Sequence, residues 1–198
     1  MCIRDSYNSP ITNLQTRPLN HYVLLKYLRE ERGISEAIAK QYLKLVFYDN
    51  KNRKGLFGIG WQNDSKAWEI RSAGQNDFKA VTGAKNITPI PNHLSPSNYY
   101  LFEGMLDYLS ALMLKKSSIL NGQVVILNST SMVKKVIKLL QGPSIENLYT
   151  FFDNDKGGNE ALEKLKQFID PKIIRSQTFY QGFNDVNEYW VHTLKNKR

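Results

Sequence analysis

Asp153 and Asp155 stand one residue apart in Leu148-Tyr149-Thr150-Phe151-Phe152-Asp153-Asn154-Asp155-Lys156-Gly157-Gly158, where an apolar run stops and a helical pattern begins. Acids at the end of a buried strand concentrate charge that is costly to desolvate, and a divalent cation offsets that cost. The pair suits Mg²⁺, which takes oxygen ligands and keeps waters that phosphates can displace. Gly157 and Gly158 permit close backbone approach and leave helix amides for a phosphate, with Lys156 as an added point charge. A plainer arrangement also fits: Asp153 or Asp155 caps the helix that follows. Fifty residues earlier, Tyr99-Tyr100-Leu101-Phe102-Glu103-Gly104-Met105-Leu106-Asp107 repeats the layout, with Glu103 ending an apolar run and Asp107 one helical turn on. Glu103 suits a metal ligand or a general acid or base. Asp107 lies on the same side of the helix, where two like charges repel unless a cation is near. Asp185, Asn187 and Glu188 form a third acidic cluster, suited either to metal ligation or to a helix cap completed by Glu188.

The elements around these acids fall into two styles. Apolar residues at helical spacing over 19–31 predict a helix stopped by Gly33, and Ser35 caps a second, short helix to about Leu43. Strand-like runs over 45–48, 55–61 and 67–71, separated by Asn- and Asp-rich turns, predict an antiparallel meander. Residues 86–97 hold three prolines and little periodicity and read as a linker. From Asn98 onward, strands and helices alternate: strands over 98–102, 123–127, 148–152 and 173–176, helices over 104–115, 131–141, 158–169 and from about Asp185. Such alternation predicts an α/β domain with a parallel sheet covered by helices, and active sites in such sheets gather at the carboxyl ends of strands. Glu103, Asn128, Asp153 and Asp155 all fall at those ends. The expected divisions are a leader over 1–18, a smaller α+β subdomain over 19–92 and the acid-bearing domain over 93–198.

Composition narrows the classes. Hydrophobic residues make up 41% and charged residues 23% of the 198, which fits a folded domain rather than a low-complexity tail. No apolar run approaches the ~20 residues that span a bilayer, so no membrane insertion is expected, and the near-absence of cysteine makes the reducing cytoplasm the expected compartment. Cys2 is the only cysteine, which excludes disulfides and a cysteine-rich zinc module within these residues. Met1-Cys2-Ile3-Arg4-Asp5-Ser6 is no secretory signal and resembles translated adapter sequence, so an artefactual start is expected. The net charge is +9; residues 39–100 carry nine Lys/Arg against four Asp/Glu, and residues 101–198 thirteen against ten. The basic excess precedes the acids, so the first part would hold a polyanion while a metal in the second acts on a phosphate. Lys79 and Lys85 suit contact with a nucleic-acid backbone or a triphosphate. His21, His93 and His192 are isolated from one another and read as structural.

Taken together, Glu103-Gly104-Met105-Leu106-Asp107, Asp153-Asn154-Asp155-Lys156-Gly157-Gly158 and Asp185-Val186-Asn187-Glu188-Tyr189 resemble the three motifs of the TOPRIM superfamily, shared by bacterial-type primases, topoisomerases and some nucleases. Upstream, Tyr27-Leu28-Arg29-Glu30-Glu31-Arg32-Gly33-Ile34 resembles the Tyr-Leu-x-x-Arg-Gly-Ile pattern of a primase core, with one extra residue. The strands Gly58–Trp61 and Trp68–Arg71 are similar to those of primase-like proteins on mobile elements of Bacteroides-type bacteria. Asn187 departs from the pattern, because replicative primases commonly have an aspartate there. The resemblance implies a TOPRIM catalytic domain after a primase-core subdomain, and Mg²⁺-dependent synthesis of RNA primers on single-stranded DNA from ribonucleoside triphosphates, with Mn²⁺ as a substitute ion and a replicative helicase as partner. It further implies Glu103, Asp107, Asp153 and Asp155 as catalytic residues, and Glu103, Asp153, Asp155 and Asp185 as metal ligands. Lys79, Lys85, Lys156, Gly157 and Gly158 would contact nucleic acid or nucleotide. Hydrolysis of phosphodiesters by the same acids, or a noncatalytic DNA-binding role in a replication complex, are the alternatives.

Overall fold

A computed structural model describes residues 11–73, 78–92, 94–176 and 178–196, and the chain divides into two compact units between Lys85 and Asn86. His93 lies outside the described residues.

The first unit orders as β1 (Thr12–Pro18), α1 (Tyr22–Glu30), α2 (Glu36–Tyr42), β2 (Lys44–Asp49), β3 (Leu56–Gln62), β4 (Trp68–Arg71) and β5 (Lys79–Val81). Leu24, Leu25, Tyr27 and Leu28 bury one stripe of α1. Gly33, at φ +67°, turns the chain, and the Ser35 side chain accepts from the Ile38 amide to cap α2. The strands form an antiparallel sheet in the order β1-β2-β3-β4-β5. One expectation needs correction. Residues 12–18 are not leader but an edge strand paired to β2, exposed along its length and broken by an irregularity between Thr12 and Gln15. Its polar residues, terminal proline and bulge are features that keep a sheet edge from recruiting further strands. Lys79 lies on the other edge strand, β5, opposite Arg71.

The second unit orders as β6 (Thr88–Ile90), β7 (Asn98–Phe102), α3 (Met105–Lys115), β8 (Gln123–Ile126), a 3₁₀ turn (Thr130–Met132), α4 (Val133–Leu140), β9 (Asn147–Phe151), α5 (Lys156–Lys166), β10 (Ile174–Ser176) and α6 (Val186–Lys195). Its sheet runs β10-β9-β7-β8-β6, with β6 antiparallel and the other four parallel. The expected linker over 86–97 is therefore partly β6, and the unit boundary falls before the expected one at residues 92 and 93. Pro89 is accommodated because β6 is an edge strand with no ladder to donate to on its outer side.

Alternation along the strands sorts two faces. Leu101, Val125 and Leu148 pack with Val133, Val136, Ile137 and Leu140 of α4 and Ala161 and Leu165 of α5. Phe102 and Phe151, one residue out of phase, stack on each other at 4.3 Å, and the Phe102 ring meets Tyr108 of α3 at 5.5 Å. The first parallel strand, β7, is thus central. Its own crossover leads to β8 on one side, whereas the crossover from β9 leads to β10 on the other. The direction in which successive crossovers move across the sheet reverses between the parallel neighbours β7 and β9, the place where ligands settle in open parallel sheets.

Candidate active site at the β7–β9 switch point

Glu103 and Asp153 emerge from the two strands that flank the reversal. The Glu103 amide extends the ladder by donating to the Phe151 carbonyl at 3.2 Å, and the Asp153 amide donates to Glu103 Oε2 at 3.2 Å. Two acids fifty residues apart in the chain are thereby held side by side. Both are half-buried.

The remaining acids of the motifs are held by helix ends. Asp155 Oδ1 accepts from the Gly158 amide at 2.8 Å, so Asp155 is the N-cap of α5. Asp185 Oδ1 accepts from the Glu188 amide at 2.7 Å, while Glu188 Oε2 accepts from the Asn184 amide at 2.6 Å, a reciprocal cap on α6. A carboxylate has lone pairs beyond one such bond, so capping and cation binding are compatible.

Asp107 is buried, 8% exposed, and its Oδ1 accepts from the Asn187 amide at 3.2 Å, joining α3 to the first turn of α6. A Cβ at Gly104 would stand 2.7 Å from Asp107 Oδ2, so the glycine makes room for this carboxylate. Asn187, 3% exposed, donates its Nδ2 to Ser110 Oγ at 2.8 Å. Its side chain is committed to the α3–α6 joint, which explains why the departure from aspartate is accommodated there.

The phosphate-cradle expectation changes in part. The Gly158 amide is used by Asp155, and a Cβ on Gly158 would lie 2.1 Å from the Asp153 carbonyl oxygen. That glycine serves close packing beneath Asp153. Gly157 meets nothing closer than Asp155 Oδ1 at 3.4 Å. Lys156 is exposed and pairs with Glu160 at 3.8 Å, an exposed contact worth little. Lys79 and Lys85 belong to the first unit. Asn128 follows the end of β8 by two residues at φ +62°, and its Nδ2 donates to the Asn86 carbonyl and to Thr88 Oγ1, binding β6 to the sheet.

Two residues with no role expected from the sequence complete the site. Asn154, between the paired acids, donates its amide to the Asn184 carbonyl at 2.6 Å and its Nδ2 to the Phe183 and Tyr180 carbonyls at 2.8 and 3.2 Å. It fastens the Asp153–Asp155 turn to the segment that leads into Asp185. Tyr180, 2% exposed, donates its hydroxyl to the Phe152 carbonyl at 2.7 Å. Burial pushes the Tyr180 phenol far above the ordinary tyrosine range, and the Asp107, Asp153, Glu103 and Asp185 carboxylates add to the shift. One phenol thus lies in the field of four acids from three separate motifs. An Asn between two acids is a detectable turn signal, whereas nothing in the local sequence marks Tyr180.

Among the described residues, no group of three or more His, Cys, Asp or Glu side chains is close enough to enclose a metal ion. Mg²⁺ is seldom enclosed that way; it is held by one or two carboxylates together with waters and substrate phosphates. Glu103 and Asp153 are hard-oxygen donors of the kind Mg²⁺ takes.

Residues 100–190 match the family described as Toprim-like, and residues 13–83 match a family described as a domain of unknown function (DUF8464). The fold is that of the primase fragment of the bacteriophage T7 primase-helicase protein: TM-score 0.62 at 15% identity, over 84% of this chain and 70% of that one. A chain from the structure of the bacteriophage T7 lagging-strand DNA polymerase interacting with primase domains, bound to an RNA/DNA hybrid and dTTP, is similar at TM-score 0.60 and 14% identity, over 84% and 85%. No curated protein matches the chain in sequence.

Proposed function

We propose that this chain, which carries a Toprim-like domain at residues 100–190 and has the fold of a phage primase fragment, is a DNA primase-like nucleotidyltransferase that makes RNA primers on single-stranded DNA. The observation that carries the reading is the hydrogen bond from the Asp153 amide to Glu103, which brings the first two acidic motifs together at the switch point. In the reaction, a 3′-hydroxyl oxygen attacks the α-phosphorus of a ribonucleoside triphosphate, the new P–O bond forms, and pyrophosphate leaves. Asp153 and Asp155 would hold Mg²⁺, with Mn²⁺ as a substitute, Glu103 would serve as a further ligand or as the base that takes the hydroxyl proton, and Asp185 would stand behind them through the Asn154 tie. The ion supplies charge neutralisation on the triphosphate and orientation for attack. Asp107 supports the site by fixing α6 against α3. Lys156 and Gly157 face the anionic nucleotide from the start of α5, while Gly158 shapes the turn below. Lys79 and Lys85 steer the polyanionic template toward the protein through the basic excess of the first unit.

Purified protein, a single-stranded DNA template, labelled ribonucleoside triphosphates and Mg²⁺ test the reading. Oligoribonucleotide products that disappear in Asp153→Ala support it. Template cleavage without synthesis establishes nuclease chemistry instead, and activity in a replication assay that survives both Asp153→Ala and Asp155→Ala establishes a noncatalytic binding role.

A further inference from the structure

The segment that closes the site, residues 178–183, carries aromatic rings that the proposed chemistry leaves unused. Phe179 is 43% exposed although it adjoins the buried Tyr180. Its ring lies 6.2 Å from Phe151, 5.2 Å from Tyr180 and 5.4 Å from Tyr189 of α6, in edge-on arrangements. Phe183 continues the series, 5.5 Å from Tyr189 and 4.8 Å from His192. The cluster runs without a break from the last residue of β9 to an exposed surface on α6. It is fixed to the acids by covalent and hydrogen-bonded links: Phe151 precedes Asp153 by two residues, and Asn154 binds the carbonyls of Tyr180 and Phe183.

Edge-on aromatic pairs stabilise an irregular segment, and that alone accounts for the ring contacts. It does not account for leaving a phenylalanine 43% exposed beside the Asp153–Asp155 turn, since a fully buried ring would give more stabilisation. Exposed aromatics beside a phosphate-handling site have a specific chemical use. Every nucleobase has a π-face, and base–aromatic stacking tolerates any sequence.

We propose that Phe179 is a stacking platform for a nucleobase whose own phosphate approaches Glu103 and Asp153. The ring orients the nucleotide while the acids and their cation take the phosphate, so base and phosphate are gripped from two sides of one turn. Tyr189 and Phe183 brace the platform and do not themselves receive the base. The inference rests on the nucleotide-handling reading above and goes further by assigning the base contact.

The test uses the full chain and three fluorescently labelled probes at low salt: an oligothymidylate, an abasic phosphodiester strand of the same length, and a nucleoside triphosphate. Phe179→Ala is expected to weaken binding of the oligothymidylate or the triphosphate about tenfold, to leave the abasic strand unchanged, and to be rescued by Phe179→Tyr. Whichever base-bearing probe responds identifies the source of the base. Equal losses on base-bearing and abasic probes, or no loss on any, overturn the stacking role while leaving nucleic-acid binding intact. Failure of the wild type to bind any probe overturns the platform and the function it rests on together. Matching thermal melting of Phe179→Ala and Phe179→Tyr separates a lost contact from a lost fold.

Discussion

Gly157 and Gly158 are equivalent in the sequence, yet only one of them lacks room for a methyl group. A Cβ at Gly158 would collide with the Asp153 backbone at 2.1 Å, whereas at Gly157 the nearest atom is at 3.4 Å. Gly158→Ala is expected to cost about 3 kcal/mol by overpacking, and Gly157→Ala to leave stability within about 1 kcal/mol; thermal melting compares them. Tyr180 gives a second prediction, with its sign set by linkage. Because the folded-state phenol titrates above its unfolded value, it contributes stability that is complete below about pH 10 and is lost as pH rises from there toward the folded value. Above pH 10 the wild type is therefore expected to lose about 1.4 kcal/mol per pH unit more than Tyr180→Phe. At neutral pH the variant is less stable by about 1 kcal/mol, the worth of the bond to Phe152. Denaturant unfolding at several pH values reads both effects. The acids of the motifs were legible because charge at the ends of apolar runs is conspicuous. Tyr180 was not, since its importance comes from four acids that only the folded sheet brings around it.

The α3–α6 joint is the element-level counterpart of those contacts. Asn187, Ser110 and Asp107 link the two helices in a buried network, with Ser110 Oγ donating back to the Leu106 carbonyl at 2.8 Å. Asn187→Ala and Ser110→Ala are each expected to destabilise by about 1–2 kcal/mol. Their double-mutant cycle is expected to show a coupling near 1 kcal/mol, and a coupling of zero would mean that the pair contributes independently. The helices and the four parallel strands are readable from periodicity, and Ser35, Asp155 and Asp185 cap the helices where their residue types suggest. Three edge strands were not readable. β5 and β6 are as short as β10 but, unlike it, do not follow a helix that marks a strand–helix alternation; β6 also contains Pro89, and β1 alternates nothing because every residue is exposed. The strand order was also hidden. That β9 crosses to the far side of β7 depends on packing of α4 and α5 against one face, and it is this crossing that sets Asp153 next to Glu103.

At the scale of the whole molecule, the net charge of +9 and the acidic pocket act in opposite senses on the same polyanion. The basic excess supplies attraction, and under the proposed function the clustered acids accept phosphate only with a cation present. Binding of single-stranded DNA should weaken with salt along a straight log–log line, and Lys79→Gln or Lys85→Gln should each reduce the slope by about 0.7 if the lysine meets a phosphate. An unchanged slope would place that lysine outside the path of the strand. The pairing of acids is the claim on which the rest depends, and calorimetry tests it most directly. A nonhydrolysable nucleoside triphosphate saturated with Mg²⁺ is titrated into the full chain, and the same nucleotide is titrated in excess chelator. The expected result is binding that needs the cation and weakens at least tenfold in Asp153→Asn and in Glu103→Gln without loss of thermal stability. Equal binding in chelator, or unaltered binding by both variants, would contradict it.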